Sequence, residues 1–147
     1  MREILFRGRT VLHPRWVAGH YVYRADIPGH FIVGVNSYGT LIWWEVDPES
    51  VGQYTGLKDR DGRRIFEGDI LRYFDDEIQV VEWSSEWSQI MLHTYGERER
   101  KQGRKTVKEK HEGWNMLDDY PLEEMPIIGN IIESPEMLEH TVKGETQ

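Results

Sequence analysis

Carboxylates, imidazoles, hydroxyls and cations are the groups in this chain that could do chemistry, and their spacing decides which chemistry is open to them. Asp75-Asp76-Glu77 sets three carboxylates side by side, oxygen donors of the kind a hard divalent cation takes. The triplet lacks the alternating ligands and turn glycine of a calcium loop, so a solvated hairpin tip explains it better. Glu67 and Asp69 would serve as an acid–base pair, but an Asp beside Gly68 is more simply a backbone-bonding turn residue. His13, His20, His30, His93, His111 and His140 fall into none of the patterns HxH, HxxxH or HExxH, which leaves no local basis for a metal site. Ser84, Ser85 and Ser88 sit in no GxSxG elbow. Gly52 to Lys58 lacks the spacing of a phosphate loop, and its flanks read as strand and turn. The chain has no Cys, which excludes thiol catalysis, disulfides and Cys-ligated zinc or iron–sulfur centres. The expected sets of catalytic, cofactor-binding and metal-ligating residues are therefore empty, and the protein is expected not to be an enzyme.

Two other groups point to binding. Residues 97–110 hold seven cations, Arg98, Arg100, Lys101, Arg104, Lys105, Lys108 and Lys110, against Glu97, Glu99 and Glu109. Such a segment would be a long hairpin loop or arm, flexible and able to reach phosphates, with Trp87, Tyr95 and Trp114 nearby to stack bases. Residues 112–147 carry nine Asp and Glu against the single Lys143. The basic segment would equally dock on that acidic stretch of a neighbour, or be merely solvated. The solvated or interface reading leads, with nucleic acid as the alternative. Trp43 and Trp44 are the second group. Neighbours in a strand point to opposite faces, so one packs inside and the other is a candidate protein contact, a role in which Trp is enriched. Burial against another part of the same chain is the competing account.

The elements that must position these groups are short strands and turns. A first strand starts near Ile4-Leu5-Phe6, and residues 16–23 follow, Tyr21 and Tyr23 alternating about Val22. After the break at Ile27-Pro28-Gly29, residues 31–35 and 41–46 form a hairpin around Asn36-Ser37-Tyr38-Gly39. Further strands are expected at 70–74, 78–83 and 89–95. A polar stretch from Gly96 to His111 separates the last of these from Trp114. Ser134-Pro135 reads as an N-cap with Pro at the first helical position, opening a short helix through Leu138.

Residues 53–71, QYTGLKDRDGRRIFEGDIL, pack two turn signals, Asp61-Gly62 and Gly68-Asp69, around the apolar pair Ile65-Phe66. This block, the opening MREILFRGR, the closing IIGNIIESPEML, and the segments RWVAGHYVYR and DPESVGQYTG together resemble the YopX family of phage and prophage proteins. The likeness runs from Met1 to about Leu138. It implies a β-rich protein whose C-terminal part resembles an SH3-like barrel, with no characterised activity attached.

The expected fold is mainly β, with an N-terminal β region over 1–50, an SH3-like barrel with a short terminal helix over 51–138, and a flexible tail at 139–147. Gly62, Gly68 and Gly129 are expected at turns, and Ile65, Phe66, Ile70, Val80 and Ile128 in the core. At 147 residues such a chain can bury a real core without staples. No apolar run is long enough to span a membrane and Met1-Arg2-Glu3 opens no signal peptide, so a cytoplasmic location is expected. The formal net charge of −8 argues against nucleic-acid binding by the whole surface. The leading expectation is a non-enzymatic, self-associating interaction module, a homo-oligomer with a host or phage protein partner and no cofactor. A nucleic-acid-binding accessory protein is the alternative, and an acidic surface that imitates nucleic acid is a third idea.

Overall fold

The computed structural model describes residues 2–74 and 77–138, with the backbone alone at residue 98. The expectations for Asp75 and Asp76, for His140 and for a flexible tail at 139–147 lie outside the described residues. The chain divides into two compact units, Met1–Gly56 and Leu57–Gln147. Both are built from antiparallel strands, which confirms a mainly β protein.

In the first unit, β1 (Phe6–Arg9), β2 (Trp16–Arg24), β3 (Gly29–Val35) and β4 (Leu41–Glu45) follow one another, and β1 also pairs with the start of β5 (Gly52–Lys58). The spatial order is β4-β3-β2-β1-β5. The β3–β4 hairpin closes where the sequence signals it. Gly39 takes a φ of 78°, and the Asn36 side-chain carbonyl accepts from the N–H groups of Tyr38 and Thr40 at 2.9 and 3.0 Å. Alternation sends Val17, Ile32 and Val46 to one face, where Phe6, Trp44 and Val51 pack on them. Gly19 lies on that face because a Cβ there would come 2.2 Å from the Val33 carbonyl oxygen.

The second unit contains β6 (Arg64–Phe66), β7 (Asp69–Arg72), β8 (Glu77–Ser84), β9 (Gln89–Gln102), β10 (Lys105–Asn115), β11 (Ile127–Asn130) and the single turn α1 (Glu136–Leu138). Five of these strands form an antiparallel sheet in the order β10-β9-β8-β7-β11. That sheet is open, with β10 at one edge and β11 at the other, so the closed SH3-like barrel is not confirmed. Both of its faces are covered. Ile65, Leu71, Val81, Leu92, Leu122 and Met125 fill one side. Ile70, Ile78 and Val80 fill the other, under Ile128, Ile131, Met137 and Leu138. Two-sided burial explains why residues 78–81 carry no polar alternation except Gln79. Gln79 is itself buried and accepts from the Thr94 hydroxyl, which in turn accepts from the Asn115 amide at 2.7 Å.

Two sequence expectations change here. Residues 96–111 are not a loop but the outer half of a two-stranded ribbon. The opposite charges carried by the two strands sit across from one another, and such pairs stabilise an antiparallel ladder without an apolar face. Gly129 lies inside β11 rather than at a turn. A Cβ there would meet the Ser134 Oγ at 2.7 Å, so close approach of the following turn requires glycine. Ile65, Phe66, Ile70 and Val80 are buried as expected, whereas Ile128 is half-buried against the core.

One side chain ties the turn after β5 to the far end of the unit. The Asp59 carboxylate, fully buried, accepts from the N–H groups of Asp61 and Arg63 through Oδ1, at 2.9 and 2.8 Å. Its Oδ2 accepts from Arg63 Nε at 3.2 Å and from the Ile127 N–H at 3.1 Å. Gly62, at φ 78°, lets the chain turn around this carboxylate. Burial pushes the carboxyl up, but the backbone donors of Ile127, Arg63 and Asp61 and the Arg63 charge outweigh it and hold it below the usual carboxylate range. A lowered carboxyl contributes stability that is present above its unfolded pKa, about 3.9, and is lost as pH falls through the folded value. Asp59→Ala should cost about 3 kcal/mol in urea unfolding near neutral pH, since it orphans buried donors. Asp59→Asn should flatten the loss of stability seen in the wild type below about pH 4.

Candidate functional site

The basic segment becomes the β9–β10 ribbon. β9 has register partners in β8 only as far as Gly96, opposite Glu77. Beyond it, Glu97, Arg98 and Glu99 lie opposite Lys110, Glu109 and Lys108. Each glutamate of the segment thus faces a cation in register. Arg100 also reaches Glu109, at 3.5 Å. The cations with no glutamate opposite them, Arg100, Lys101, Arg104 and Lys105, gather at the tip around Gly103, which turns at φ 65°. The expected aromatic partners are not there. Trp87 lies in the β8–β9 turn at the other end of β9, and Trp114 sits opposite His93 in the body of the sheet. Lys105 and Trp114 are nine residue steps apart, about 30 Å of strand. The structure brings the cations together and leaves the tryptophans elsewhere.

Trp43 and Trp44 point to opposite faces of β4. Trp44 packs on the first unit's core, with the Arg15 guanidinium 5.8 Å from its ring centre. Trp43 is 46 % exposed, meets Phe31 edge-on at 5.9 Å and carries Arg24 over its ring at 5.6 Å. It shares its face with Leu41 and Val35, which stand opposite each other in register and are 61 % and 62 % exposed. β4 is the last strand of its sheet. Its far end is tied down, since the Val11 N–H donates to the Glu45 carbonyl and Thr10 bridges Val46. The open part of the edge is therefore residues 41–44.

A third group was invisible in the sequence. His93 on β9 has Nδ1 2.6 Å from Glu82 Oε2 on β8 and Nε2 2.5 Å from Glu112 Oε1 on β10. An imidazolium donates at both nitrogens, a neutral ring at one. Trp114 stacks on the ring at 4.2 Å and 13°, and the Tyr95 hydroxyl lies 2.7 Å from Nδ1. Burial, with the Glu82 and Glu112 charges behind it, pushes the Tyr95 hydroxyl well above its ordinary range. The cluster is a closed hydrogen-bonding network without a nucleophile. It joins three strands, locking edge strand β10 to β8 across β9. Alternation places His93 with Tyr95 and Glu112 with Trp114, but seeing this requires the β9–β10 register.

The remaining candidates are structural. Asp69 is buried and accepts from the Phe66 N–H at 2.8 Å, and Gly68 turns at φ 93°. Ser84 is buried and accepts from the Trp87 N–H. Gly52 to Lys58 is the strand β5. Glu77 accepts from Gln79 Nε2 and from the Tyr120 hydroxyl, both at 2.7 Å. His30 lies 2.6 Å from the Tyr21 hydroxyl, and His111 lies 3.7 Å from Glu77. Among the described residues no group of three or more His, Asp or Glu is placed to hold a metal ion. Nor is any described helix long and apolar enough to cross a membrane. A cleft of about 390 Å³ in the second unit is lined by Arg60, Arg72, Tyr73 and Phe74, with Glu124 and Met125; none of the described sequence candidates borders it.

Comparison with known proteins gives one family. A family model described as YopX protein matches residues 24–139. No curated protein matches. Among solved structures, the crystal structure of protein EF1440 from Enterococcus faecalis is similar over 95 % of this chain and 100 % of that one, at 22 % identity and a TM-score of 0.43.

The His93 cluster yields a test of its own. His93→Ala leaves Glu82 and Glu112 on one face without their shared partner and should destabilise the chain by about 1–3 kcal/mol in urea. Because the Tyr95 hydroxyl is raised, its contribution is complete below the unfolded value of about pH 10 and is lost as pH climbs toward the folded one. Above about pH 10 the wild type should therefore lose more stability with rising pH than Tyr95→Phe.

Proposed function

The chain belongs to the YopX family, and from that premise we propose that it is a non-enzymatic interaction module that self-associates through the open edge of β4. The observation that carries this reading is residues 41–44, Leu-Ile-Trp-Trp, standing last in their sheet with Leu41 and Trp43 exposed. Natural edges are usually blunted by lysine, proline or a bulge, and none of these occurs between Leu41 and Trp44. A second copy laid antiparallel along that edge would continue the ladder. It would also set Leu41 and Trp43 beside their own counterparts on one face, the self-complementary arrangement of a twofold dimer. Large apolar side chains at the centre of such a contact supply most of its energy. Arg24, already over the Trp43 ring, would form part of the polar rim. The absence of a nucleophile–base pair from the motif-bearing segments favours binding over catalysis. The setting we propose is cytoplasmic, in a phage or prophage context, with a host or phage protein as further partner.

Sedimentation velocity of the full chain at micromolar concentration tests this. The wild type should run as a dimer or larger, and Leu41→Lys with Trp43→Lys should run as a monomer with an unchanged circular dichroism spectrum. A wild type that stays monomeric across that range overturns the proposal.

A further inference from the structure

We infer that the β9–β10 ribbon is a duplex-DNA-binding arm whose tip, Arg100, Lys101, Arg104 and Lys105, engages backbone phosphates. This goes beyond the self-association reading and does not rest on it, since the residues belong to a different unit of the chain.

Charge placement is the first support. The segment's positive excess is not spread along the ribbon, because the register sets Glu97, Glu99 and Glu109 against Lys110, Lys108 and Arg98. What remains around the turn is Lys101, Arg104 and Lys105, with Arg100 beside them 3.5 Å from Glu109, all four exposed. The second support is reach. From Gly96, the last β9 residue with a partner in β8, to Gln102 is six residue steps, about 20 Å of extended strand. The Debye length at physiological salt is about 8 Å. A tip held more than two such lengths along the strand from Gly96 is screened from the Glu77, Glu82 and Glu112 carboxylates in the body of the same sheet.

Shape selects the occupant. A two-stranded β-ribbon fits the major groove of B-form DNA, about 12 Å wide. The A-form groove of double-stranded RNA is too narrow for one. Single strands are gripped by stacking on aromatic side chains, and residues 97–110 contain no aromatic residue. A protein partner would want an apolar anchor near the centre of the contact, and the segment offers only Val107, which is 37 % exposed. Phosphate contact by four cations without aromatic readout predicts binding that is weak, strongly salt-dependent and largely indifferent to sequence.

The test is fluorescence anisotropy of the full chain with a labelled duplex of about 20 base pairs, titrated between about 50 and 200 mM KCl. The plot of log K against log salt should have a slope of about −3 to −4, since each phosphate contact contributes about −0.9. Arg104→Ala with Lys105→Ala, both in an exposed turn, should reduce that slope by about two and weaken binding by about tenfold or more at the lowest salt. Lys108→Ala and Lys110→Ala, opposite glutamates, should change the slope far less. Absence of saturable duplex binding, a slope near zero, tighter binding to the single strand, or indifference to the Arg104 and Lys105 pair would each overturn the inference. So would a shift of oligomeric state on altering that pair, which would assign the tip to the acidic stretch of a second copy. Repeating the titration on the Leu41→Lys, Trp43→Lys chain should leave the slope unchanged, which separates this result from the outcome for β4.

Discussion

A single buried carboxylate organises the second unit. Asp59 takes four donors, and only one of them, Ile127, lies outside its own turn. An ionised carboxylate is tolerated away from water only when donors replace its hydration, so its presence obliges the turn and the strand at residue 127 to occupy fixed places. The Arg63 guanidinium completes the clamp by donating to the Ile127 carbonyl at 2.7 Å. With residue 127 fixed, β11 lies beside β7, and Asn130 begins the final turn by accepting from the N–H groups of Ile132 and Glu133. The covering of one sheet face by Ile131, Met137 and Leu138 follows from that placement. The most recognisable stretch of this sequence is thus an architectural device rather than a reactive one.

The second sheet changes character along its length. In the body, β8 and β9 are covered on both sides and their polar residues form closed networks, Gln79 with Thr94 and Asn115 on one face, His93 with Glu82 and Glu112 on the other. Outward from Gly96 the same two-strand pairing continues through three opposite-charge pairs and then the cation-bearing tip. Exposed ion pairs contribute little stability each, about 0–1 kcal/mol. Their arrangement still has an effect, because cancelling charge along the stem leaves it concentrated at the end. The same residue composition in another register would give a diffuse positive strip.

How much of this was legible follows from which signals are local. The hairpin at Asn36 to Gly39, the turns at Gly62 and Gly68, and the buried Ile65, Ile70 and Val80 rest on turn chemistry and apolar runs, and the sequence carries both. The opposite facing of Trp43 and Trp44 follows from strand period alone. Glu-Arg-Glu-Arg-Lys has no apolar alternation to signal a strand, and its strand character comes from partners five to thirteen residues away. Asp59 was overlooked because Asp61-Gly62 accounts for the turn without it, while its decisive partner lies at residue 127. The His93 cluster draws on residues 82, 93 and 112, which only the register unites. Gly129 was assigned to a turn because its neighbour in space, Ser134, is not visible in the flanking residues.

The register of β9 and β10 also draws a seam across the molecule. Among the described residues, every ladder partner from Glu97 to Lys110 belongs to the same hairpin, and none of these residues belongs to a core cluster. The arm is therefore an exchangeable part, one that can be lengthened, shortened or recharged across generations while the body keeps its packing. The exchange obeys a parity rule, because side chains alternate with a period of two. Removing two residues from each strand preserves which charges share a face, whereas removing one from each turns the tip over. A lineage that varies the reach of this arm in even steps keeps the same set of charges facing the same way, and one that varies it in odd steps acquires a different surface from the same residues.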